Sequence, residues 1–184
     1  MRRRLIGALV VVPVLALALT SCLPEAPVTR VVTYSVTTDG AVVSDVNQFA
    51  AFAQGVYDSP YGWRQAGIQF VRVLYGGDFT LVLANPAEIP KYDPVCSDLW
   101  SCTVGRNVVI NDFRFANGSP AWPGTLDWYR TMVINHETGH WLGLGHAYCA
   151  GPGEPAPIMQ QQSIDLQGCA MNSWPQRWEI DLVR

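Results

Sequence analysis

All three histidines of this chain fall within twelve residues, NHETGHWLGLGH (135–146), at positions 136, 140 and 146. Glu137 stands beside the first of them, and glycines stand at 143 and 145. On a helix, His136 and His140 are four apart and share a face, one turn from each other. Two imidazoles so placed can point at one ion. Zinc accepts histidine nitrogen at about 2.0–2.1 Å and keeps one position open where it catalyses. Glu137 can reach a water at that position and act as general base, the H-E-x-x-H arrangement.

A helix carries later residues away from such an ion, so a third ligand needs a change of direction. Gly143 supplies one, because a glycine three residues after His140 can adopt the left-handed conformation that ends a helix. The chain then doubles back, Gly145 easing the turn, and His146 can face the same ion. The expected cofactor is one Zn2+ per chain on His136, His140 and His146. Buried core histidines are the plainer reading, but a glutamate among them does not suit an apolar face. A purely structural zinc is the other alternative, and such sites fill all four positions, often with cysteine.

These residues need elements to hold them. Thr125 can cap a helix running through LDWYRTMVINHETGHWLG (126–143). RVVTYSVTT (30–38) alternates and is rich in β-branched residues, so it reads as a strand. Asp45 can cap a helix through VNQFAAFAQGVY, with Val46, Phe49, Ala50, Ala53 and Val56 on one face. IQFVRVLY (68–75) and FTLVLA (79–84) read as strands, and Gly76-Gly77-Asp78 between them predicts a hairpin. Segment 85–106 is rich in loops, NVVIN (107–111) is a short strand, and PQRWEIDLV (175–183) is a short terminal helix. Strands first and a long helix later suggest an α+β layer arrangement. The 184 residues suit one domain, expected over 30–184.

The N-terminus reads MRRRLIGALVVVPVLALALTSC: three arginines, about fifteen apolar residues, then small ones. That is the pattern of a secretory signal, expected over 1–21, and the apolar run is shorter than the roughly 20 residues of a membrane span. LTSC (19–22) resembles the lipobox of bacterial lipoproteins, in which the cysteine carries lipid. Cys22 is therefore the expected lipidation site, residues 22–29 a tether, and the extracytoplasmic face of the cell membrane the expected location. Plain secretion is the alternative. Without Arg2, Arg3 and Arg4, nine Lys+Arg stand against 15 Asp+Glu, a net charge near −6. A nucleic-acid partner is excluded on that balance.

Five cysteines is an odd count for an exported chain. With Cys22 lipidated, Cys96, Cys102, Cys149 and Cys169 remain. Four cysteines allow three connectivities, of which the local one, Cys96–Cys102 and Cys149–Cys169, is expected in an oxidising compartment. Zinc ligation by these cysteines is the alternative, and no C-x-x-C spacing supports it.

The spacing H-E-x-x-H-x-x-G-x-x-H, present as His136, Glu137, His140, Gly143 and His146, resembles the metzincin clan of zinc metallopeptidases. The resemblance implies a small twisted, mostly β sheet, a long helix bearing the motif, a Met-turn loop and a C-terminal helix. It implies a methionine beneath the metal, for which Met159 in APIMQQQ is the candidate and Met171 the other choice. Methionine as core filler is the alternative. Roughly residues 30–175 also resemble an actinobacterial family of unknown function with a metzincin-like signature. The matching stretches are YSV (34–36), DFTLVLA (78–84), SPAW (119–122), YRTMVINHETGHWLGLGH (129–146) and PAPIMQQQ (155–162).

The implied activity is that of a zinc endopeptidase acting on a peptide or protein, with Glu137 as base and the chain monomeric. The substrate would lie along an edge strand by β-augmentation, and NVVIN is the expected strand. The reading from another class is a zinc-stabilised surface binding domain without catalysis. Two departures stand out. Gln161 occupies the position, two after Met159, where some metzincins carry tyrosine. Only about eight residues separate Cys22 from the first strand, so no inhibitory propeptide is expected. No histidine is left to orient the ligands, so carboxylates or backbone carbonyls must do it.

Overall fold

The structure is a computed structural model that describes residues 26–184. The signal segment, Cys22 and the start of the tether lie outside the described residues. Residues 26–29 have no regular structure but are tied down. Thr29 N–H donates to Gly67 O at 2.9 Å, and the Arg64 guanidinium donates to Ala26 O at 2.7 Å. No helix among the described residues is long and apolar enough to cross a membrane.

Strand β1 (Arg30–Asp39) leads into helix α1 (Val46–Asp58), capped as expected by the Asp45 carboxylate on Asn47 N and Gln48 N. Then come β2 (Ile68–Arg72), β3 (Phe79–Ala84), β4 (Cys102–Val104) and β5 (Asn107–Asn111). Helices α2 (Asp112–Asn117), α3 (Leu126–Trp141) and α4 (Arg177–Leu182) follow. The strands form one sheet in the order β2-β1-β3-β5-β4, parallel except for β4. The fold is thus mixed helix and sheet, with the long helix bearing the histidines. The sheet is more parallel than a strands-then-helix reading suggests, because β1, α1 and β2 form a β-α-β unit.

The expected hairpin of β2 and β3 does not form. Both pair parallel with β1, from opposite sides: β2 with residues 30–34 and β3 with residues 34–39. Between them the chain passes over β1. Val73 N–H donates to Tyr34 O at 2.8 Å and Asp78 N–H to Thr33 O at 2.7 Å. Gly77 makes the crossing at φ +92°, and a Cβ there would lie 3.0 Å from the Thr33 carbonyl oxygen and the Tyr34 Cα. The Gly-Gly-Asp signal does mark a change of direction, but into a crossover. A second expectation also fails. NVVIN is not an edge strand, since β5 lies between β3 and β4; the edges are β2 and β4, and β4 lies inside the segment read as loop.

Alternation along the strands sorts side chains onto two faces. Phe79, Leu81, Leu83, Val108 and Ile110 face the main core with Phe49, Tyr57, Met132 and Val133 of α1 and α3. Val82, Ala84 and Val109 face the other way, against Ile89 and Cys96. Helix α3 therefore lies on one face of the sheet, and segment 86–96 covers part of the other.

Candidate metal centre

Helix α3 starts where expected: Thr125 Oγ1 accepts from Trp128 N at 3.3 Å. It ends through Gly143, at φ +99°. Gly143 N–H donates to His140 O and Leu144 N–H to Gly139 O, each at 3.0 Å. That pair of bonds is the glycine-ended helix stop, and it reverses the chain directly after the second histidine. His146 is thereby returned to the helix face it follows.

The three imidazoles converge. His140 Nε2 lies 3.2 Å from His136 Nε2 and 3.2 Å from His146 Nε2. One ligand atom from each residue fits within 4.8 Å of the others. A tetrahedral ion bound at about 2.0–2.1 Å spaces its ligand nitrogens about 3.3 Å apart, so the spacing fits a metal. Among the described residues no fourth His, Cys, Asp or Glu joins the group.

The far ring nitrogens decide the chemistry of this donor set. His136 Nδ1 lies 2.7 Å from Ile158 O, and His140 Nδ1 lies 2.9 Å from Leu144 O. A backbone carbonyl only accepts, so each Nδ1 carries the proton. The neutral ring then offers its Nε2 lone pair to the cluster. Burial, together with the neighbouring His140, lowers His136 from the usual histidine value to about 3. Burial lowers His140 and His146 as well. Burial thus favours the neutral form of these rings, most strongly at His136, and the neutral form is the one a metal ligand needs.

Glu137 is 5% exposed, and burial pushes its carboxyl up to about 8 in this metal-free arrangement. Its Oε2 accepts from Thr103 Oγ1 of β4 at 2.8 Å. A cavity of about 470 Å³ opens in front of the group, bordered by Cys102, Thr103, Val133, Glu137, Gln160 and the histidines.

Met159 is buried, and a Cβ on Gly139 would lie 2.4 Å from its sulfur. Gly139 lies between the two helical histidines in sequence, so the methionine packs against α3 within that turn. Met171 lies elsewhere, against Gly124. Cys96 pairs with Cys102, and Cys149 with Cys169. The first disulfide lies at the start of β4 and the second brackets the loop with Met159. Trp141, although next to His140, packs its ring on Phe79. Asp127 is exposed and pairs with Arg130 at 3.1 Å.

Three contributors escaped the sequence reading. Thr103 meets Glu137 from a stretch too short to read as a strand. Gly139 looks like an ordinary helical residue. Glu179 of α4 is 0% exposed and its carboxylate accepts from Ile158 N at 3.0 Å, Met159 N at 2.9 Å and Gln176 N at 2.8 Å. The spacing Gln176 to Glu179 forms a capping box, which is the one local signal for that residue.

A profile of the family described as protein of unknown function DUF3152 matches residues 19–178. The chain belongs to this family. Among solved structures, this DUF3152 member is similar to an archaemetzincin from Methanopyrus kandleri. The identity is 15%, the TM-score 0.47, and the match covers 82% of this chain and 92% of that one. No curated protein matches the chain.

Proposed function

We propose that this DUF3152 member is a metzincin-like zinc endopeptidase, exported and held at the membrane by lipid on Cys22. The observation that carries the reading is the convergence of three Nε2 atoms, two of them with their rings locked by carbonyls, beside a buried carboxylate at a cavity. Three histidines with no fourth protein donor among the described residues suit a catalytic metal better than a structural one. When bound, zinc supplies a Lewis acid that polarises a carbonyl and brings the acidity of a water near neutrality.

His136, His140 and His146 would hold that ion. Glu137 takes the proton of the attacking water on its carboxylate and delivers it to the departing amine nitrogen. An extended peptide would pair with the free side of β4, in place of the NVVIN strand expected from sequence.

One preparation tests the reading. The full chain is analysed for metal and assayed on a peptide library, beside Glu137→Gln and His146→Ala. One zinc per chain is expected in wild type and in Glu137→Gln, with zinc weakened in His146→Ala. Hydrolysis should fall at least about 100-fold in Glu137→Gln. Zinc without hydrolysis in any form would leave a zinc-stabilised binding domain; no zinc would sink both readings. Fractionation of the same chain with membranes should be lost in Cys22→Ser, and its persistence would remove the anchor.

A further inference from the structure

The edge strand and the carboxylate meet in one hydroxyl. Strand β4 pairs with β5 on one side only, with Cys102 opposite Val109, Thr103 opposite Val108 and Val104 opposite Asn107. Its other side has no strand partner among the described residues. Successive strand residues face opposite ways. Cys102 and Val104 pack on the cluster of Val82, Ala84, Ile89, Cys96 and Val109. Thr103, between them, faces helix α3. Its Oγ1 lies 2.8 Å from Glu137 Oε2 and 2.9 Å from the Glu137 carbonyl oxygen.

We infer that Thr103 is a positioning residue for Glu137, coupling the occupancy of the β4 edge to the orientation of the carboxylate. This rests on the peptidase reading for its effect on rate, but not for its effect on the carboxylate. A glutamate side chain has three rotatable bonds, and an unheld carboxylate samples several orientations. The Thr103 hydroxyl holds Oε2, and Oε1 makes no hydrogen bond among the described residues although Glu137 borders the cavity. One oxygen is therefore anchored and the other is left to the site.

The anchor is not on the helix that carries Glu137. It is on the strand whose free backbone an extended peptide would bond. The Cys96–Cys102 disulfide fixes the residue before Thr103, whereas Val104 leads into the turn at Gly105. Cys102 and Val104 pair with Val109 and Asn107 and turn their backbone groups toward β5, so pairing on the free edge would bond the N–H and C=O of Thr103 itself and restrain the strand there. A restrained strand restrains the hydroxyl, and with it the carboxylate. Extended peptides that pair with β4 then gain in turnover, beyond any gain in binding, because orientation of a reacting group acts on the rate step.

The test is Thr103→Val, which keeps the shape and removes the hydroxyl, beside Thr103→Ser, which restores it. In the zinc-loaded full chain, Thr103→Val should lower kcat roughly 10- to 100-fold, the usual loss for a partner that orients a site group. KM and zinc content should stay near wild type, and Thr103→Ser should recover most of kcat. Thr103→Ala repeats the measurement should valine disturb the strand. Full kcat in both Val and Ala variants, or a serine variant as slow as valine, would overturn the proposal.

A second readout needs no activity. In the metal-free chain, the carboxyl carbon-13 resonance of Glu137 should move in Thr103→Val and return in Thr103→Ser. An unmoved resonance in Thr103→Val overturns the proposal. A resonance that moves in Thr103→Val, while the zinc-loaded wild type hydrolyses nothing, overturns the peptidase reading and leaves the positioning role standing.

Discussion

Each helical histidine of the cluster is oriented by an atom that carries no side-chain identity. Ile158 O and Leu144 O would be carbonyls whatever residues stood there. Their effect is to fix the tautomer, and the buried surroundings then fix the charge. The sign for His136 follows from its two states. An unfolded chain takes up a proton near the ordinary histidine value of 6.5, while the folded, metal-free chain does so only near 3. Between those values the unfolded state binds more protons, so stability is intact above about 6.5 and falls with the pH through that window. The slope from this one residue is at most about 1.4 kcal/mol per pH unit. In the metal-free protein the His136 ring nitrogens should keep the Nδ1–H neutral signature in nitrogen-15 spectra from pH 7 to pH 4. The urea midpoint should decline over the same range. A His136 signal that titrates near 6.5 would show that its ring is not held neutral.

Elements that announce themselves locally were legible in the sequence, and those made by distant pairing were not. The start of α3 at Thr125 and its stop at Gly143 are local devices, and both are where their residues indicate. Register within the sheet is not local. Nothing in IQFVR or FTLVLA says that β1 lies between them, and Gly77 reads equally as a turn or as the close crossing it makes. Three-residue β4 has too short a period to read, so the edge was assigned to its neighbour. Glu179 belongs largely to the same class, because two of its three partners, Ile158 N and Met159 N, lie about twenty residues back. That carboxylate from α4 grips Ile158 and Met159, and the Ile158 carbonyl in turn orients His136. Burial raises the Glu179 pKa, against the three amides that favour its charged form. Glu179→Ala strands buried N–H groups and should cost about 3 kcal/mol or more. It should also weaken metal binding roughly 10- to 100-fold, with Glu179→Gln in between because one acceptor oxygen remains. Stability lost with metal affinity unchanged would reduce Glu179 to a purely structural role.

In the molecule as a whole, the centre is where separate segments meet: helix α3, the reversal after Gly143, the Met159 loop and, through Glu179, helix α4. A bound ion would tie the first two together, and any ligand that binds only the folded chain adds stability in proportion to the logarithm of its excess over Kd. The Cys149–Cys169 bond acts on the third, bridging a separation of 20 residues that includes Ile158 and Met159. Closing a loop of that size contributes on the order of 3 kcal/mol through the unfolded chain. Two roles for the bond can be told apart by a cycle. Replacing both cysteines by serine should cost about 3 kcal/mol in the metal-free protein by the unfolded-chain effect alone. If the bond also holds the carbonyl of Ile158 and the packing of Met159 in place, metal affinity falls too, and the metal-loaded protein loses more than the metal-free one. The excess equals RT times the logarithm of the ratio of the two Kd values. Denaturant unfolding of both proteins, with and without zinc, gives all four stabilities. The expected result is a larger loss with zinc, which makes the disulfide part of the centre. Equal losses would mean that the loop keeps its place without the bond, held by Glu179 and the core contacts of Met159.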